Sequence, residues 1–491
     1  MNQLLLPGNI NSDNMGKKNL KQQYEIGMVG LGVMGRNLLL NMADHGFSVA
    51  GFDKDPTKVE ALRKEAEKRD IRCTANLQEF ISSLGLPRTI ILLVPAGAPV
   101  DSVIKELSPH LQKDDLIIDS GNSYFKDTDL RTIRSKEKGI LFMGMGISGG
   151  EEGARHGASI MPGGLKKAYE RVKPILEAVA ARVNGEPCVT YLGPFSAGHF
   201  VKMVHNGIEY GVMQLISETY ALMKLVLGFS EDQLQNVYSE WNNGELNGFL
   251  MEITGNIFGR VDDKTGKRLI DEILDVARQK GTGMWTSQSA MELQVPVPTI
   301  DMAVAMRDLS VFEEQRETAS KIYLDPKTAF SGDEIKFLIQ LRKALYVSML
   351  TTYAQGFALL LAASDKYGYH LDPEAIARIW RGGCIIRAAP LEDIQAAFHA
   401  KHDLLNLLLD PYLSKEIREN QEDLRQIVCL ASTMGIPIPG IMASLGYLDA
   451  YRSAWLPANL IQAQRDYFGA HTYERVDAKG TYHTEWLKGS K

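Results

Sequence analysis

The residues best suited to acid–base chemistry stand in one short stretch, Gly198 to Tyr210, which reads GHFVKMVHNGIEY. Within it Lys202, Asn206 and Glu209 occupy positions i, i+4 and i+7, which share one face of an α-helix. Oxidation of a secondary alcohol needs a base for the hydroxyl proton, and a lysine can serve if its surroundings lower its pKa. A glutamic acid kept protonated by desolvation can act as the acid. The same pattern also suits the solvated side of a surface helix.

A second candidate site is a glycine-rich segment that follows an apolar run and precedes a helical pattern. Its first glycine permits a tight turn, its second lets the backbone approach a pyrophosphate, and its third allows close helix–strand packing. An aspartate ends the next predicted strand at about the 20-residue spacing expected of a ribose ligand. The pattern predicts a dinucleotide site formed by Gly30, Leu31, Gly32, Val33, Met34 and Gly35 with Asp53, Lys54 and Asp55.

The residues after the second predicted strand leave the choice of cofactor open. Carboxylates there accept hydrogen bonds from the ribose hydroxyls of NAD and repel the additional phosphate of NADP. Asp53 and Asp55 therefore favour NAD, whereas Lys54 between them favours NADP or is a solvated surface lysine.

The first third of the chain alternates apolar runs with helical patterns. We predict strands at 26–29, 47–52, 89–94, 116–119 and 140–144, with a helix over 36–45 and another that begins at Asp55-Pro56. Strands separated by helix-length segments indicate crossover connections and a parallel sheet. The sequence thus predicts an α/β Rossmann-type dinucleotide-binding domain over residues 24–195.

Helical periodicity replaces the strand pattern after about residue 196. We predict a large all-α domain over 196–454, with long helices at 209–227 and 344–363 whose similar apolar ends suggest an internal duplication. The second of these is long enough to cross a bilayer, but its polar residues favour a buried core helix. Residues 455–491 are read as a polar, irregular C-terminal tail, and residues 1–23 as a disordered extension.

Composition narrows the function classes. The 491 residues exceed a single ordinary core, so at least two domains are expected. A net charge of -6 argues against a nucleic-acid or anionic-membrane binder. The four cysteines form no C-x-x-C pair, so we expect no metal site, and their scarcity suits a reducing compartment. The first residues lack the apolar core of a signal peptide, so a cytoplasmic location is expected.

Over residues 28–486 the chain resembles the 6-phosphogluconate dehydrogenase family. The resemblance includes the two motifs above and four others: DSGNS from Asp119, GISGGEEGAR from Gly146, KGTG from Lys280 and LPANLIQAQRDYFGAH from Leu456. Broader β-hydroxyacid dehydrogenases resemble the glycine motif and the Lys-x-x-x-Asn pair, but not the last of these motifs.

The resemblance implies oxidative decarboxylation of 6-phosphogluconate to ribulose 5-phosphate, a reaction of the pentose phosphate pathway, with NADP as the family's usual cofactor. Lys202 would be the general base, and Glu209 would protonate C1 of the enediol. The carboxylate and hydroxyl end of the substrate would be held by Asn122, Ser148, Gly149, Gly150, His205 and Asn206.

The phosphate end would be held by Tyr210, Lys280, Thr282 and Arg307. Arg465 and His471 would come from the partner subunit, which implies a homodimer with shared active sites. Val94, Pro95, Ala96 and Asn122 would border the cofactor. Each of these residues taken singly also fits a turn, a surface cation or a structural histidine.

The sequence departs from the family pattern at several places. Asp53-Lys54-Asp55 replaces the usual Asn-Arg-Thr, which questions the NADP preference. Gly32 stands where the family usually has alanine, and Pro95 and Met284 occupy common lysine positions.

Two other functions compete with this interpretation. A non-decarboxylating β-hydroxyacid dehydrogenase acting on a small unphosphorylated acid would not need Lys280, Arg307 and Arg465. A catalytically silent dinucleotide-binding sensor would have no reason to keep both Lys202 and Glu209.

Overall fold

The computed structural model describes residues 23–323 and 329–487. The predicted disordered extension, residues 1–23, lies outside the described residues except for its last position. The chain divides into two compact units, of which Met1–Met203 with Ala363–Arg387 form the first and Val204–Ala362 with Ala388–Lys491 form the second.

The first unit is built on a seven-stranded sheet. Its strands β1 to β7 are Ile26–Val29, Val49–Phe52, Ile71–Thr74, Thr89–Leu92, Leu116–Asp119, Leu141–Ser148 and Ser159–Gly164. They lie in the order β3-β2-β1-β4-β5-β6-β7, and all neighbours are parallel except β7, which is antiparallel to β6. The predicted Rossmann-type fold is confirmed, and the strand order reverses between β1 and β4, where such sheets bind dinucleotides.

The strands that the sequence predicted are those with buried apolar runs. They are β1, β2, β4, β5 and β6, whose residues are buried throughout. Two strands were not predicted. Strand β3 mixes polar and apolar residues, and β7 contains Pro162 and two glycines, residue types that disfavour strand interiors.

Six helices connect these strands, and a seventh follows β7. Helices α1 to α7 are Val33–Asp44, Pro56–Ala66, Leu77–Ser83, Ala98–Leu107, Phe125–Glu137, Gly150–His156 and Lys166–Val179. The predicted start of α2 is confirmed, because the Asp55 side chain accepts a hydrogen bond from the Thr57 amide and Pro56 is the first helical residue. A short hairpin follows, with strands β8 and β9 at Arg182–Val183 and Glu186–Pro187.

Helices dominate the rest of the chain. Helices α8 to α19 are Ala197–Leu227, Glu231–Trp241, Phe249–Gly259, Thr282–Glu292, Pro298–Ser310, Glu313–Ile322, Glu334–Tyr367, Pro373–Trp380, Pro390–Ala400, Pro411–Met434, Pro439–Tyr451 and Ala458–Gly469. Short 3-10 turns occur at Ser108–His110, Leu269–Glu272 and Leu407–Leu409. Helices α8 and α14 contain the two predicted long helices and extend beyond them.

In the second unit, α8 packs against α14 through glycines. A Cβ on Gly211 would lie 2.6 Å from Thr352, and one on Gly356 would lie 2.5 Å from Ile208. Helix α14 is the one helix of the described residues with the length and composition to cross a membrane. Because 89% of its apolar window is buried within the protein, it is interpreted as a core helix. The internal duplication stays a prediction.

The two compact units do not follow the predicted boundary at residue 196. Residues Ala363–Arg387, predicted as part of the helical domain, return to the first unit. There the backbone N–H and the hydroxyl of Ser159 donate hydrogen bonds to Gly383 O and Ile379 O, both at 2.7 Å. Contacts between residues so far apart in the sequence leave no local pattern from which they could be predicted.

The C-terminal tail is more ordered than the predicted irregular segment. It contains α19 and a hairpin of two short strands, β10 at Tyr473–Glu474 and β11 at Thr481–Tyr482. Asp466 of α19 holds this arrangement, since its carboxylate accepts hydrogen bonds from the Thr472 and Thr484 amides and from the Trp486 indole. Although burial opposes ionisation of Asp466, hydrogen bonds from the Thr484 amide, the His483 ring and the Trp486 indole hold its pKa at about 2.

Candidate active site

The glycine loop between β1 and α1 has the shape that a dinucleotide requires. Gly30 has a φ of +98°, and a Cβ there would lie 2.5 Å from Leu93 O. A Cβ on Gly35 would lie 1.9 Å from Gly30 O, so only glycine allows α1 to pack this closely. Gly32, the N-cap of α1, faces open space with no atom within 4 Å of its Cβ position. The residues present therefore fit a pyrophosphate at the N-terminus of α1.

Two further loops meet the glycine loop at this edge of the sheet. The Val94 side chain of the segment 94–96, after β4, would be 3.0 Å from a Cβ on Gly30. A Cβ on Gly121, after β5, would be 3.0 Å from Val94 O. Of the predicted cofactor residues Val94, Pro95 and Ala96, the first thus lies against the glycine loop, and the turn that carries Asn122 lies next to it.

A buried ion pair supports the Asn122 turn. The Asp119 carboxylate accepts hydrogen bonds from the Gly121 amide at 3.2 Å and the Ser123 hydroxyl at 2.7 Å, on either side of exposed Asn122. Arg131 donates to the same carboxylate at 3.3 Å, and both charged side chains are buried. Arg131 was not predicted as a residue of this site, because nothing in its local sequence pattern distinguishes it from a surface arginine.

Lys202 lies directly against strand β6. A Cβ on Gly146 would come within 2.3 Å of the Lys202 Cβ, and a Cβ on Gly163 of β7 within 2.2 Å of Gly198 N. Glycines in both partners thus allow the first turns of α8 to rest on the strand backbone. Lys202 is only 5% exposed, so the predicted base is held in a desolvated position within the cofactor-binding unit.

His199 occupies the turn before Lys202 and is also buried. Its Nδ1 lies 2.7 Å from the Thr128 hydroxyl, and a Cβ on Gly144 would lie 2.8 Å from the same nitrogen. Burial lowers the pKa of His199, which keeps the imidazole neutral.

The end of β6 provides the predicted Ser148-Gly149-Gly150 turn. Ser148 is buried, and its hydroxyl accepts a hydrogen bond from the Ile385 amide at 3.2 Å. Gly149 has a φ of +119°, and a Cβ there would lie 2.6 Å from Gly383 O. The turn is therefore held in place by the returning segment 363–387.

The remaining candidate residues of α8 lie in the second unit. His205 is fully buried, and its Nδ1 lies 3.1 Å from Asn206 Oδ1 and 3.8 Å from Glu209 Oε2. The side chain of Glu209 is 22% exposed. The structure thus brings His205, Asn206 and Glu209 together as one polar group on the helix.

Tyr210 and Arg307 form a cation–aromatic pair in the second unit. The Arg307 guanidinium carbon lies 3.4 Å from the centre of the Tyr210 ring. A Cβ on Gly283, in the first turn of α11, would lie 2.4 Å from that ring. Thr282 is the first residue of α11, and exposed Lys280 precedes it. The structure thus joins a cation to a helix N-terminus, a combination suited to a phosphate group.

The predicted tail residues stand apart from this pair. Arg465, on α19, donates a hydrogen bond to Gln462 at 3.0 Å, and the His471 ring packs against Phe468. Both residues are exposed.

At the end of β2, Asp53 and its neighbours make contacts that the sequence did not reveal. Asp53 Oδ2 accepts a hydrogen bond from the Leu31 amide at 2.8 Å, which joins it to the glycine loop. Lys54 Nζ lies 2.6 Å from Glu106 Oε1. Among the described residues, no group of three His, Cys, Asp or Glu side chains is placed to hold a metal.

Comparison with known families identifies both parts of the chain. The model for the NAD binding domain of 6-phosphogluconate dehydrogenase matches residues 25–193, and that for the 6-phosphogluconate dehydrogenase C-terminal domain matches residues 198–486. The chain belongs to the 6-phosphogluconate dehydrogenase family.

Individual members of the family match over almost the whole chain. A Bacillus subtilis protein, named as an NADP(+)-dependent, decarboxylating 6-phosphogluconate dehydrogenase, is 53% identical over 95% of this chain and 100% of its own length. A decarboxylating 6-phosphogluconate dehydrogenase of Salmonella typhimurium is 50% identical with the same coverage. Plasmodium falciparum 6-phosphogluconate dehydrogenase, studied with NADP+ and with 6-phosphogluconate, matches with a TM-score of 0.91 at 45% identity, over 94% of this chain and 100% of that one.

Proposed function

We propose that this member of the family oxidises and decarboxylates 6-phosphogluconate to ribulose 5-phosphate and CO2 with a nicotinamide dinucleotide. The observation that carries the proposal is the placement of Lys202, a buried amine packed on β6 in the unit that holds the glycine loop. Decarboxylating 6-phosphogluconate dehydrogenases that match nearly the whole chain support the same reaction. The expected setting is the pentose phosphate pathway in the cytoplasm.

The cofactor would be held by the glycine loop and the residues after β2 and β4. When bound, its nicotinamide ring supplies the acceptor for the hydride that leaves C3 of the substrate. The open space at Gly32 and the free amides of the first turn of α1 would receive the pyrophosphate.

Lys202 would take the proton from the C3 hydroxyl as the hydride leaves. The product is a β-keto acid, whose carbonyl group accepts the electrons of the carbon–carbon bond when CO2 departs. Protonated Lys202 would stabilise the charge on that carbonyl oxygen. Glu209 would then deliver a proton to C1 of the enediol, which yields the ketose.

The remaining candidate residues would hold the two ends of the substrate. Those proposed for the carboxylate and hydroxyl end are Asn122, Ser148, Gly149, Gly150, His205 and Asn206. Those proposed for the phosphate are Tyr210, Lys280, Thr282 and Arg307, of which Arg307 can bind two phosphate oxygens at once.

The tail supports a homodimer in which Arg465 and His471 of one subunit complete the site of the other. The tail exposes more large apolar side chains than a solvated surface usually does. They are 43% to 88% exposed and comprise Trp455, Leu456, Leu460, Ile461, Tyr467, Phe468, Val476, Trp486 and Leu487. A concentration of exposed apolar side chains in one segment is typical of a protein interface.

The proposed reaction is tested by mixing the purified protein with 6-phosphogluconate and either NAD or NADP while the absorbance of the reduced nicotinamide is followed. Reduction with at least one cofactor is expected, and unphosphorylated gluconate serves as the control substrate. If neither cofactor is reduced, the proposal is wrong. Equal turnover of gluconate would instead favour an unphosphorylated substrate.

The shared site is tested by co-expressing a Lys202→Met chain with an Arg465→Ala chain. Each variant alone should turn over poorly, but a mixed dimer has one site with an intact lysine and an intact partner arginine. Random pairing would then restore about a quarter of the wild-type sites. If the mixed preparation is no more active than the Arg465→Ala protein, the arginine does not act on the partner subunit.

A further inference from the structure

In Rossmann-type domains the end of the second strand lies beside the adenosine ribose, where NAD and NADP differ. In this chain that corner contains carboxylates held by hydrogen bonds. Asp53 uses both oxygens: Oδ2 accepts a hydrogen bond from the Leu31 amide at 2.8 Å, and Oδ1 accepts one from the Asp55 amide at 3.0 Å. The carboxylate is therefore held beside the glycine loop, where the adenosine ribose of a bound dinucleotide would lie.

Asp55 is fixed as firmly as Asp53. Its carboxylate accepts hydrogen bonds from the Thr57 hydroxyl at 2.6 Å and the Thr57 amide at 2.9 Å, as the N-cap of α2. These bonds hold the pKa of Asp55 below its usual range, so the group carries a full negative charge at neutral pH. It cannot turn away from an incoming phosphate without uncapping the helix.

Lys54, which the sequence alone could assign to an NADP phosphate, is engaged elsewhere. Its Nζ lies 2.6 Å from Glu106 Oε1 on α4. The two other cations near this corner are also paired, because Lys58 Nζ lies 3.6 Å from Asp53 Oδ2 and Arg36 Nε lies 3.1 Å from Glu65 Oε2.

The corner therefore contains three cations, each facing a carboxylate, and an additional carboxylate in Asp55. The 2′-hydroxyl of NAD can donate a hydrogen bond to such a surface. The 2′-phosphate of NADP carries two negative charges and would have to break an existing ion pair before it met a cation.

We propose that this chain binds NAD in preference to NADP and that Asp53, supported by the paired cations of this corner, determines the preference. In this respect the chain would differ from its Bacillus subtilis relative, which is named as NADP(+)-dependent. The effect of this preference on turnover rests on the proposed function, whereas the preference itself can be measured by cofactor binding alone.

Isothermal titration of the full chain with NAD+ and with NADP+, without any sugar substrate, tests the proposal directly. The dissociation constant for NADP+ is expected to exceed that for NAD+ by about tenfold or more, because like charges at an interface are strongly disfavoured. Equal affinities, or tighter binding of NADP+, would overturn the proposal. Binding of NAD+ without any turnover of 6-phosphogluconate would leave it standing while contradicting the proposed reaction.

Substitutions locate the cause of the preference. Asp53→Asn removes the charge closest to the ribose, and Glu106→Gln releases Lys54, so each should lower the ratio of the NADP+ to the NAD+ dissociation constant severalfold. The matched control is Glu60→Gln, which removes one charge from an exposed pair with Arg63 on the same helix as Glu65. The control should leave the ratio within about twofold, since exposed pairs act weakly at a distance.

Two results with the variants would refute the assignment. One is an unchanged ratio in both Asp53→Asn and Glu106→Gln. The other is a shift in Glu60→Gln as large as that in the two test variants, which would mean that net charge rather than this corner sets the preference. The specificity ratio of kcat/KM for the two cofactors should follow the ratio of dissociation constants.

Discussion

Two corners of the molecule place cations beside a candidate ligand site, and their charges are arranged in opposite ways. At the end of β2, Lys54 and Lys58 each face a carboxylate. At the start of α11, Arg307 lies over the Tyr210 ring, and among residues 23–323 and 329–487 no carboxylate forms an ion pair with it. The number of cations near a site therefore does not predict phosphate binding, because only a cation whose charge is not already neutralised can attract a phosphate.

The glycine loop presents a third arrangement, in which no cation is required. A pyrophosphate at Gly32 would meet backbone amides and the positive end of α1 instead of side-chain charge. On the proposed function, the bridging phosphates of the cofactor would be held by backbone amides, and the terminal phosphate of the sugar would be held by the Arg307 side chain.

The largest change in turnover is expected from substitution of Lys202, which lies outside both corners. Lys202→Met should lower kcat by roughly 10²–10⁴, because the general base is lost while the apolar packing against β6 is kept. Binding of NAD+, measured by titration, should stay within about twofold of wild type, since neither corner changes. Turnover within about tenfold of wild type would contradict the assignment of Lys202 as the base.

Arg307→Gln should have the next largest effect, and it should act on the sugar phosphate only. Loss of charged hydrogen bonds predicts a rise in the KM for 6-phosphogluconate of roughly 10- to 100-fold, with little change in the affinity for NAD+.

The matched control for Arg307 is Arg316→Gln. Arg316 is an arginine of the same unit that is already paired with Asp275 at 2.7 Å. Its loss should change the KM by less than about twofold, as for most surface ion pairs. If both variants raise the KM equally, the distinction between paired and unpaired cations fails.

Gly146→Ala tests whether Lys202 depends on its contact with β6. The new Cβ would lie 2.3 Å from the Lys202 Cβ, so α8 must shift. We expect a loss in the free energy of unfolding of about 1–3 kcal/mol together with lower kcat. Denaturant unfolding and steady-state kinetics measure the two effects.

Gly446→Ala is the control for Gly146→Ala. Gly446 lies within α18 and has no atom within 4 Å of its Cβ position, so alanine should raise stability by about 0.4–1 kcal/mol. A Gly146→Ala protein as stable and active as wild type would mean that the helix is not held by this contact.

The smallest effect is expected from salt. Raising the NaCl concentration from low to about 0.5 M should raise the KM for 6-phosphogluconate severalfold, because chloride screens an unpaired cation. The dissociation constant of NAD+ should change by less than about twofold, since its corner is neutralised by its own ion pairs. If salt raised the KM for 6-phosphogluconate and the dissociation constant of NAD+ by the same factor, the two corners would not differ in their free charge.

Much of the first unit could be predicted from the sequence because its signals are local. The apolar runs of β1 and β5, the glycine spacing and the Asp55-Pro56 helix start each depend on a few adjacent residues. Strand β7 could not be predicted, because Pro162 is tolerated only at the edge of the sheet and Gly163 is required only where α8 packs closely on the strand, and neither condition is visible in the local sequence.

The contacts that position the candidate site could not be predicted from the sequence. Gly146 is visible in the sequence, but not the fact that it faces Lys202. Likewise Lys54 looks available in the sequence, and only the fold brings Glu106 to it across 52 residues. Such contacts depend on which elements become neighbours, and this is a property of the whole chain.

On the proposed function, this chain couples oxidation at C3 of 6-phosphogluconate to loss of C1. The most direct measurement supplies 6-phosphogluconate labelled with ¹³C at C1 together with NAD and follows the label by NMR while reduced cofactor accumulates. We expect labelled CO2 and bicarbonate to appear in an amount equal to that of the reduced cofactor, with unlabelled ribulose 5-phosphate as the other product. Reduced cofactor without labelled CO2, or no reaction with either NAD or NADP, would contradict the proposed function.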